Sequence, residues 1–282
     1  MSADANPPAR LSWKRRLLRY LSLAAITYVG LLLVLLALEN SLVYHPSPAT
    51  DWLSPPSAEV RDIDLTLPDG TKIHSWWYPR AGATGALLYC HGNAGNLSHR
   101  GGTMGLMRHH LGESVLIFDY PGYGKSAGSP SEAGCYAAAD AAYDWLTKVQ
   151  QIPAEKIVIY GGSLGGGVAV DLASRREHRA LILCKTFTSV PDVGAGLYPW
   201  LPVRWLMRNR FESATKIATC KRPVFIAHGT ADELIPFSHG QRLYQVANDP
   251  KHFFRMEGIG HNSGLPDAFF VELLKFLDRV ER

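Results

Sequence analysis

A serine in a glycine-rich turn carries the clearest chemical signal in this 282-residue sequence. Residues 157–160 are apolar and mostly β-branched, which predicts a short buried strand, and Gly161-Gly-Ser163-Leu-Gly165 follows directly. Small and apolar residues at helical spacing come next. A tight turn between a strand and a helix accepts only small side chains and would expose the Ser163 hydroxyl as a nucleophile. The alternative is a glycine-rich turn with an incidental serine, which the flanking elements disfavour.

A serine nucleophile needs a base that accepts its proton and an acid that orients the base. Asp232 and His261 lie downstream of Ser163, and each follows the C-terminal end of a predicted strand. Sites gather at that edge in open α/β sheets. We therefore predict that Asp232 accepts from one ring nitrogen of His261 and that the other nitrogen faces Ser163. Two neighbours are rival candidates: Glu233 for the acid, and His228 for the base, where a structural role beside the acid is favoured.

Nucleophilic attack on a carbonyl also requires hydrogen-bond donors for the negative oxygen that forms. The backbone N–H of Leu164, the residue after the nucleophile, is one predicted donor. The second is expected from the loop 91–96, which reads His-Gly-Asn-Ala-Gly-Asn after a predicted strand. Glycine-rich turns leave backbone N–H groups free to point into a site. Asn93 is the predicted second donor.

The elements that position these residues alternate along the chain. A hairpin is predicted first, because residues 60–67 and 71–78 flank a Pro-Asp-Gly turn. Short apolar runs then alternate with helix-length amphipathic or alanine-rich stretches, and this predicts a mostly parallel sheet with helices on both faces and an antiparallel edge. The predicted core strands are 86–90, 114–118, 156–160, 180–184, 223–227 and 252–256.

One interval, residues 189–215, is too long for a turn and interrupts this alternation. It is rich in large apolar side chains, and its position between two core strands predicts a small lid over the site. The alternative is an ordinary helix that packs on the core. The lid residues predicted to bind substrate are Trp200, Trp205, Leu206 and Met207.

The N-terminal region has the composition of a membrane anchor. Residues 20–38 contain no charged side chain, and this length spans the hydrocarbon core of a bilayer as a helix. A cleaved signal peptide is the alternative, but the apolar run is long for one and ends in a poor cleavage site. Five basic residues precede the run and none lies within 39–60, so the N-terminus is predicted to be cytoplasmic and the following domain non-cytoplasmic.

The predicted organisation therefore has four parts: a basic cytoplasmic segment 1–19, a transmembrane anchor 20–38, a linker 39–59 and an α/β domain 60–282. Outside the first 38 residues the chain has 24 basic and 24 acidic side chains and no basic run, which argues against nucleic-acid binding. Its four cysteines have no metal-type spacing, and we expect free thiols. The sequence implies no metal or organic cofactor and carries no signal for an oligomeric state.

The chain resembles the membrane-anchored, small-lid branch of the α/β-hydrolase-domain proteins, a family of serine hydrolases. The resemblance covers about residues 60–280 and implies the α/β-hydrolase fold and the triad Ser163, Asp232 and His261. One departure is local, because Cys184-Lys185 stands where relatives commonly have Glu-Ser or Glu-Ala. The motifs that carry the resemblance are His91-Gly-Asn-Ala-Gly-Asn96, Asp119-Tyr-Pro-Gly-Tyr-Gly-Lys-Ser126, Gly161-Gly-Ser-Leu-Gly165, Asp232 and Gly260-His261-Asn262.

The predicted activity is cleavage of carboxylic ester or acyl-thioester bonds through an acyl-enzyme, with a small acyl compound as substrate. An apolar lid close to a membrane suits acyl chains. A peptidase or amidase could use the same triad, because one fold supports several acyl-transfer reactions. A membrane-tethered binding module without activity is the third alternative, and the presence of residues for all three triad roles disfavours it.

Overall fold

The apolar N-terminal run forms one helix, α1 (Trp13–Ala37), in the computed structural model, which describes residues 12–280. None of its 25 residues is buried. Within the described residues it is the one helix whose length and hydropathy suit a membrane span, and a signal sequence has the same properties. The helix begins before residue 20 and includes four of the five basic residues that precede the apolar run. The fifth, Arg10, lies outside the described residues.

The chain divides into two units between Leu42 and Val43, within the short helix α2 (Glu39–Val43). The second unit contains the whole sheet. It also contains most of the segment predicted as a linker, because the unit begins at Val43 and the first strand begins at Arg61.

Eight strands form one sheet in the order β1-β2-β4-β3-β5-β6-β7-β8. The hairpin β1–β2 is antiparallel, β2 pairs antiparallel with β4, and every later neighbour is parallel. The predicted fold class, a mostly parallel sheet with an antiparallel edge, is confirmed. The strands are β1 (Arg61–Thr66), β2 (Lys72–Tyr78), β3 (Ala86–Cys90), β4 (Ser114–Phe118), β5 (Ile157–Gly162), β6 (Ala180–Cys184), β7 (Val224–Gly229) and β8 (Lys251–Met256).

Helices cover both faces of the sheet, so the central strands are buried on both sides, as parallel strands generally are. Leu88 and Ile159 point to one apolar layer, and their neighbours Leu87 and Val158 point to the other. The remaining α-helices are α3 (Gly101–Leu111), α4 (Glu132–Asp144), α5 (Leu164–Arg175), α6 (Val190–Leu197), α7 (Val203–Leu206), α8 (Ser213–Ile217), α9 (Phe237–Val246) and α10 (Asp267–Val280). A π-helical turn, Trp145–Val149, continues α4, and 3₁₀ turns cover Leu97–Arg100 and Ala154–Lys156.

The interval predicted as a lid folds as three short helices, α6 to α8, between β6 and β7. The side chain of Ser189 caps α6 by accepting from the N–H of Asp192. The four-residue α7 leaves Trp205 89% exposed, and Trp200 before it is 59% exposed. The interval therefore places large aromatic side chains in solvent instead of packing as one long helix on the core.

Candidate active site

Ser163 lies at the tip of the turn between β5 and α5. Its backbone is left-handed, with φ 51° and ψ −123°, a strained conformation for a residue with a side chain. Two glycines make the turn possible. A Cβ at Gly161 would lie 2.6 Å from the Cβ of Ala169, and one at Gly165 would overlap the carbonyl oxygens of Cys90 and His91. The glycine-rich sequence therefore brings β3, β5 and α5 together and presents the Ser163 hydroxyl outward.

His261 and Asp232 meet Ser163 in a continuous hydrogen-bonded chain. His261 Nε2 lies 3.0 Å from Ser163 Oγ, and His261 Nδ1 lies 2.9 and 3.0 Å from the two carboxylate oxygens of Asp232. With the ring proton on Nδ1 donated to Asp232, Nε2 is left to accept from the serine hydroxyl. The structure thus brings together the three residues that the sequence pattern singled out.

The carboxylate of Asp232 accepts hydrogen bonds from several donors. Burial alone would raise the pKa of Asp232, but hydrogen bonds from His228, His261 and the N–H of Ile235 outweigh it and lower the pKa well below 3.8. Asp232 Oδ1 accepts from the N–H groups of Leu234 and Ile235, at 3.1 and 2.8 Å. Asp232 is therefore an ionised group of fixed orientation.

Neither rival residue forms a hydrogen bond with the Ser163 hydroxyl or with the ring of His261. The Glu233 carboxylate accepts from the backbone N–H of His261 at 3.4 Å instead of contacting its ring. The His228 ring is fully buried, and its Nε2 lies 2.8 Å from the carbonyl oxygen of Ile235 and 3.3 Å from Asp232 Oδ2. His228 thus contacts the far side of the acid, in the supporting position that the sequence favoured.

Two backbone N–H groups beside Ser163 are candidates for stabilising a developing oxyanion. Leu164 is the first residue of α5, so its N–H has no intrahelical acceptor and lies at the positive end of the helix dipole. The loop after β3 lies against Ser163, since a Cβ at Gly92 would be 3.3 Å from Ser163 Cβ. The next N–H, that of Asn93, enters none of the loop hydrogen bonds among residues 12–280.

Several residues near the site have contacts that the sequence reasoning did not predict. Tyr123 donates its hydroxyl to Asn93 Oδ1 at 2.7 Å, and Tyr120 donates to the carbonyl of His91 at 2.7 Å. Both tyrosines belong to the motif 119–126, to which the sequence pattern assigns no catalytic role. Lys185, at the departure from the family pattern, donates from Nζ to the carbonyl of Ser263 at 2.6 Å, two residues after His261.

The predicted substrate-binding residues occupy two environments. Trp200 and Trp205 are exposed, whereas Leu206 and Met207 are half-buried. The sulfur of Met207 lies next to Gly194, so α6 packs against the end of α7. The assignment of these four residues to an acyl site stays a prediction. Across the described part of the chain, no group of His, Cys, Asp or Glu side chains has the arrangement of a metal site.

Comparisons with known proteins agree with this geometry. A sequence model described as the alpha/beta hydrolase fold matches residues 85–212. The chain is 38% identical over 279 residues to the uncharacterized protein Rv2307c of Mycobacterium tuberculosis, covering 96% of each protein. It is 37% identical over 193 residues to the alpha/beta hydrolase domain-containing protein aho-3 of Caenorhabditis elegans, covering 68% of this chain and 57% of the relative.

Solved structures give the same fold. The esterase Pf2001 of Pyrococcus furiosus superposes with a TM-score of 0.68 at 21% identity, covering 83% of this chain and 98% of the esterase. The esterase RhEst1 of a Rhodococcus species superposes with a TM-score of 0.59 at 17% identity, covering 79% and 99%. With a matching family model and a matching sheet, the protein belongs to the α/β-hydrolase family.

Proposed function

We propose that the protein is a serine hydrolase that cleaves carboxylic ester or acyl-thioester bonds through an acyl-enzyme. The observation that carries the proposal is the hydrogen-bonded chain from Ser163 through His261 to Asp232. A nucleophile, a base and an orienting acid in this order are what acyl transfer requires.

In the first half of the reaction Ser163 Oγ attacks the substrate carbonyl and its proton passes to His261 Nε2. The carbonyl oxygen becomes negative and accepts from the N–H groups of Leu164 and Asn93. The imidazolium, stabilised by Asp232, then gives its proton to the departing alcohol oxygen or thiol sulfur. In the second half a water molecule gives its proton to His261 and attacks the acyl-serine, and the released Ser163 oxygen takes that proton back.

The apolar side chains of the predicted lid favour ester and thioester substrates over peptides. The lid's large side chains, including Trp200 and Trp205, are apolar and suit an acyl chain. A peptidase usually needs a fixed charge that grips a peptide terminus, and the two carboxylates of the interval 189–215 are engaged within it, because Asp192 pairs with Arg204 and Glu212 pairs with Arg210. Peptidase or amidase activity is therefore the second candidate.

We further propose that α1 remains as an uncleaved anchor. The cations at its N-terminal end and the absence of Lys and Arg between residues 39 and 60 favour a cytoplasmic N-terminus and a hydrolase domain on the other side.

Activity profiling of the full-length protein in detergent tests the proposed reaction. Wild type should react with a fluorophosphonate probe and hydrolyse acyl esters or thioesters faster than aminoacyl amides. The matched variant Ser163→Ala should lose both properties, because it lacks the attacking oxygen. Undiminished labelling of Ser163→Ala would show that another residue is the nucleophile. Wild-type protein that is folded yet neither labelled nor active on any of the three substrate classes would favour a binding module.

A further inference from the structure

Residues 43–53, which we call the strap, lie across the loops beside Ser163. The strap belongs to the same unit as the sheet. It forms isolated parallel bridges with the loop after β3, through Pro46 and Gly95, and with the loop after β4, through Pro48 and Gly124. The strap has the proline content of a linker, yet it is hydrogen-bonded to two loops of the α/β domain.

The strap holds the side chain of Asn93, the residue whose N–H is proposed to stabilise the oxyanion. Asn93 Nδ2 donates to the carbonyl of Val43 at 2.5 Å, and Oδ1 accepts from the N–H of His45 at 3.1 Å. The same Oδ1 accepts from the hydroxyl of Tyr123 at 2.7 Å. Because these bonds occupy the amide, the side chain of Asn93 is directed away from the reaction and only its backbone N–H remains for it.

Ser47 joins the two loops through its backbone. Its N–H donates to the carbonyl of Gly95 at 2.9 Å, and its carbonyl accepts from the N–H of Gly124 at 2.9 Å. The residues on either side of Ser47 are prolines, which have no N–H to donate. Of residues 46–48, only Ser47 can therefore donate a backbone hydrogen bond to the loop after β3, and it does so to Gly95.

Further along, the strap contacts the end of the same loop. Asn96 Nδ2 donates to the carbonyl of Asp51 at 2.8 Å, and the N–H of Leu53 donates to Ser98 Oγ at 3.0 Å. The strap thus contacts the loop at Asn93, Gly95, Asn96 and Ser98.

The loop needs such support because its backbone is unfavourable on its own. Ala94 and Gly95 both have positive φ, at 59° and 74°. The left-handed conformation is strained for alanine, and such residues persist only where their surroundings fix them. Without the strap, the peptide groups beside Asn93 would be free to rotate towards ordinary φ values.

We propose that the strap is a positioning element of the active site, which fixes the loop after β3 so that the N–H of Asn93 points at the oxyanion. This inference rests on the proposed hydrolase function. Oxyanion stabilisation depends on donors that are already in place before charge develops, so a displaced loop slows the chemical step more than it weakens substrate binding. The segment that follows the predicted anchor therefore contributes to catalysis.

Ser47→Pro in the full-length protein tests the proposal, because it removes the bond to Gly95 and leaves extended backbone between two prolines. Ala49→Pro is the matched control: Ala49 is the second residue of the turn closed by Asp51 N–H and Pro48 O, a position that suits proline, and its N–H makes no hydrogen bond among the described loops. We expect Ser47→Pro to lower kcat on p-nitrophenyl acetate at least about 10-fold, with KM changed less than about 2-fold. Ala49→Pro should match wild type.

The affinity of a trifluoromethyl ketone inhibitor is a second measurement, and a general loss of protein stability would not lower it in step with kcat. The ketone forms a tetrahedral serine adduct whose oxyanion needs the same donors, so its affinity should fall in Ser47→Pro by the same factor as kcat. Unchanged affinity for the ketone, or equal kcat values for Ser47→Pro and Ala49→Pro, would overturn the proposal.

Asn93→Ala is a second, independent variant in case Ser47→Pro does not fold. It keeps the backbone N–H and deletes the side-chain bonds to Val43, His45 and Tyr123, so kcat should again fall at nearly constant KM. Wild-type kcat in Asn93→Ala would sink the strap proposal. These tests begin from a wild-type protein that reacts with fluorophosphonate. If the hydrolase proposal is wrong, the wild-type protein does not react. If only the strap proposal is wrong, the wild-type protein reacts and the variants keep its kcat.

Discussion

Asp232 is the residue whose surroundings best separate it from its rival. Its side chain is fully buried, and His261 Nδ1 lies within 3.0 Å of both its oxygens. Asp232→Asn should leave the fold intact and lower turnover by about four orders of magnitude, because the ring is no longer held in the reactive tautomer. Glu233→Gln is the matched control, since Glu233 accepts only from the backbone of His261. A larger loss from Glu233→Gln than from Asp232→Asn, measured as kcat on p-nitrophenyl acetate, would assign the acid to Glu233.

The low pKa of Asp232 also predicts how stability depends on pH. The ordinary value is 3.8, and the folded value is lower, so the ionised group contributes stability that is fully present above 3.8 and lost as pH falls through the folded value. The difference in Tm between wild type and Asp232→Asn should therefore be constant near neutral pH and shrink below about pH 4. Thermal melts at a series of pH values measure it. A difference that stays constant down to pH 2 would contradict a lowered pKa.

At the scale of elements, the lid carries the next prediction. Trp205 is 89% exposed on the short helix α7, and we expect this aromatic side chain to contact a long acyl chain. Trp205→Ala should lower kcat/KM for dodecanoyl esters about 10-fold, the loss expected when one large apolar contact is removed, and change acetyl esters less than about 2-fold. Leu106→Ala is a control, since Leu106 is a partly exposed apolar residue on α3. Equal losses on both esters would indicate a packing role for Trp205.

The elements also show what the sequence could predict. The strands were predictable because each is a short apolar run, and the site was predictable because Ser163, Asp232 and His261 each follow such a run. The strap was not, because its contacts with Gly95 and Gly124 use backbone N–H and C=O groups, which all residue types except proline carry. Its prolines are typical of a linker, and no periodicity in the sequence reports bonds between residues 45 or more positions apart. Local patterns therefore predicted the candidate catalytic residues but not the segment that contacts the loop after β3.

At the scale of the whole molecule, the sheet places the candidate site at the C-terminal ends of its parallel strands. β5, β7 and β8 run parallel, and the loops that follow them carry Ser163, Asp232 and His261. The same end of the sheet receives the loop after β3, which the strap contacts, and the strap begins six residues after the last residue of α1, Ala37. The proposed anchor and the strap are thus close neighbours along the chain, whichever side of a membrane the domain occupies.

The orientation of that anchor is the last prediction, and it follows from the distribution of charge. Lys14, Arg15 and Arg16 precede the apolar run, and no Lys or Arg lies between residues 39 and 60, so the N-terminus should remain cytoplasmic and the domain non-cytoplasmic. Ser54 is exposed in the second unit, so Ser54→Cys in intact cells should react with a membrane-impermeant thiol reagent. Wild type is the matched control, because its four cysteines are buried thiols and burial raises the pKa of Cys184 to about 11. Reaction of Ser54→Cys only after the membrane is opened would show the inverted orientation, and a soluble protein lacking residues 1–38 would show a cleaved signal.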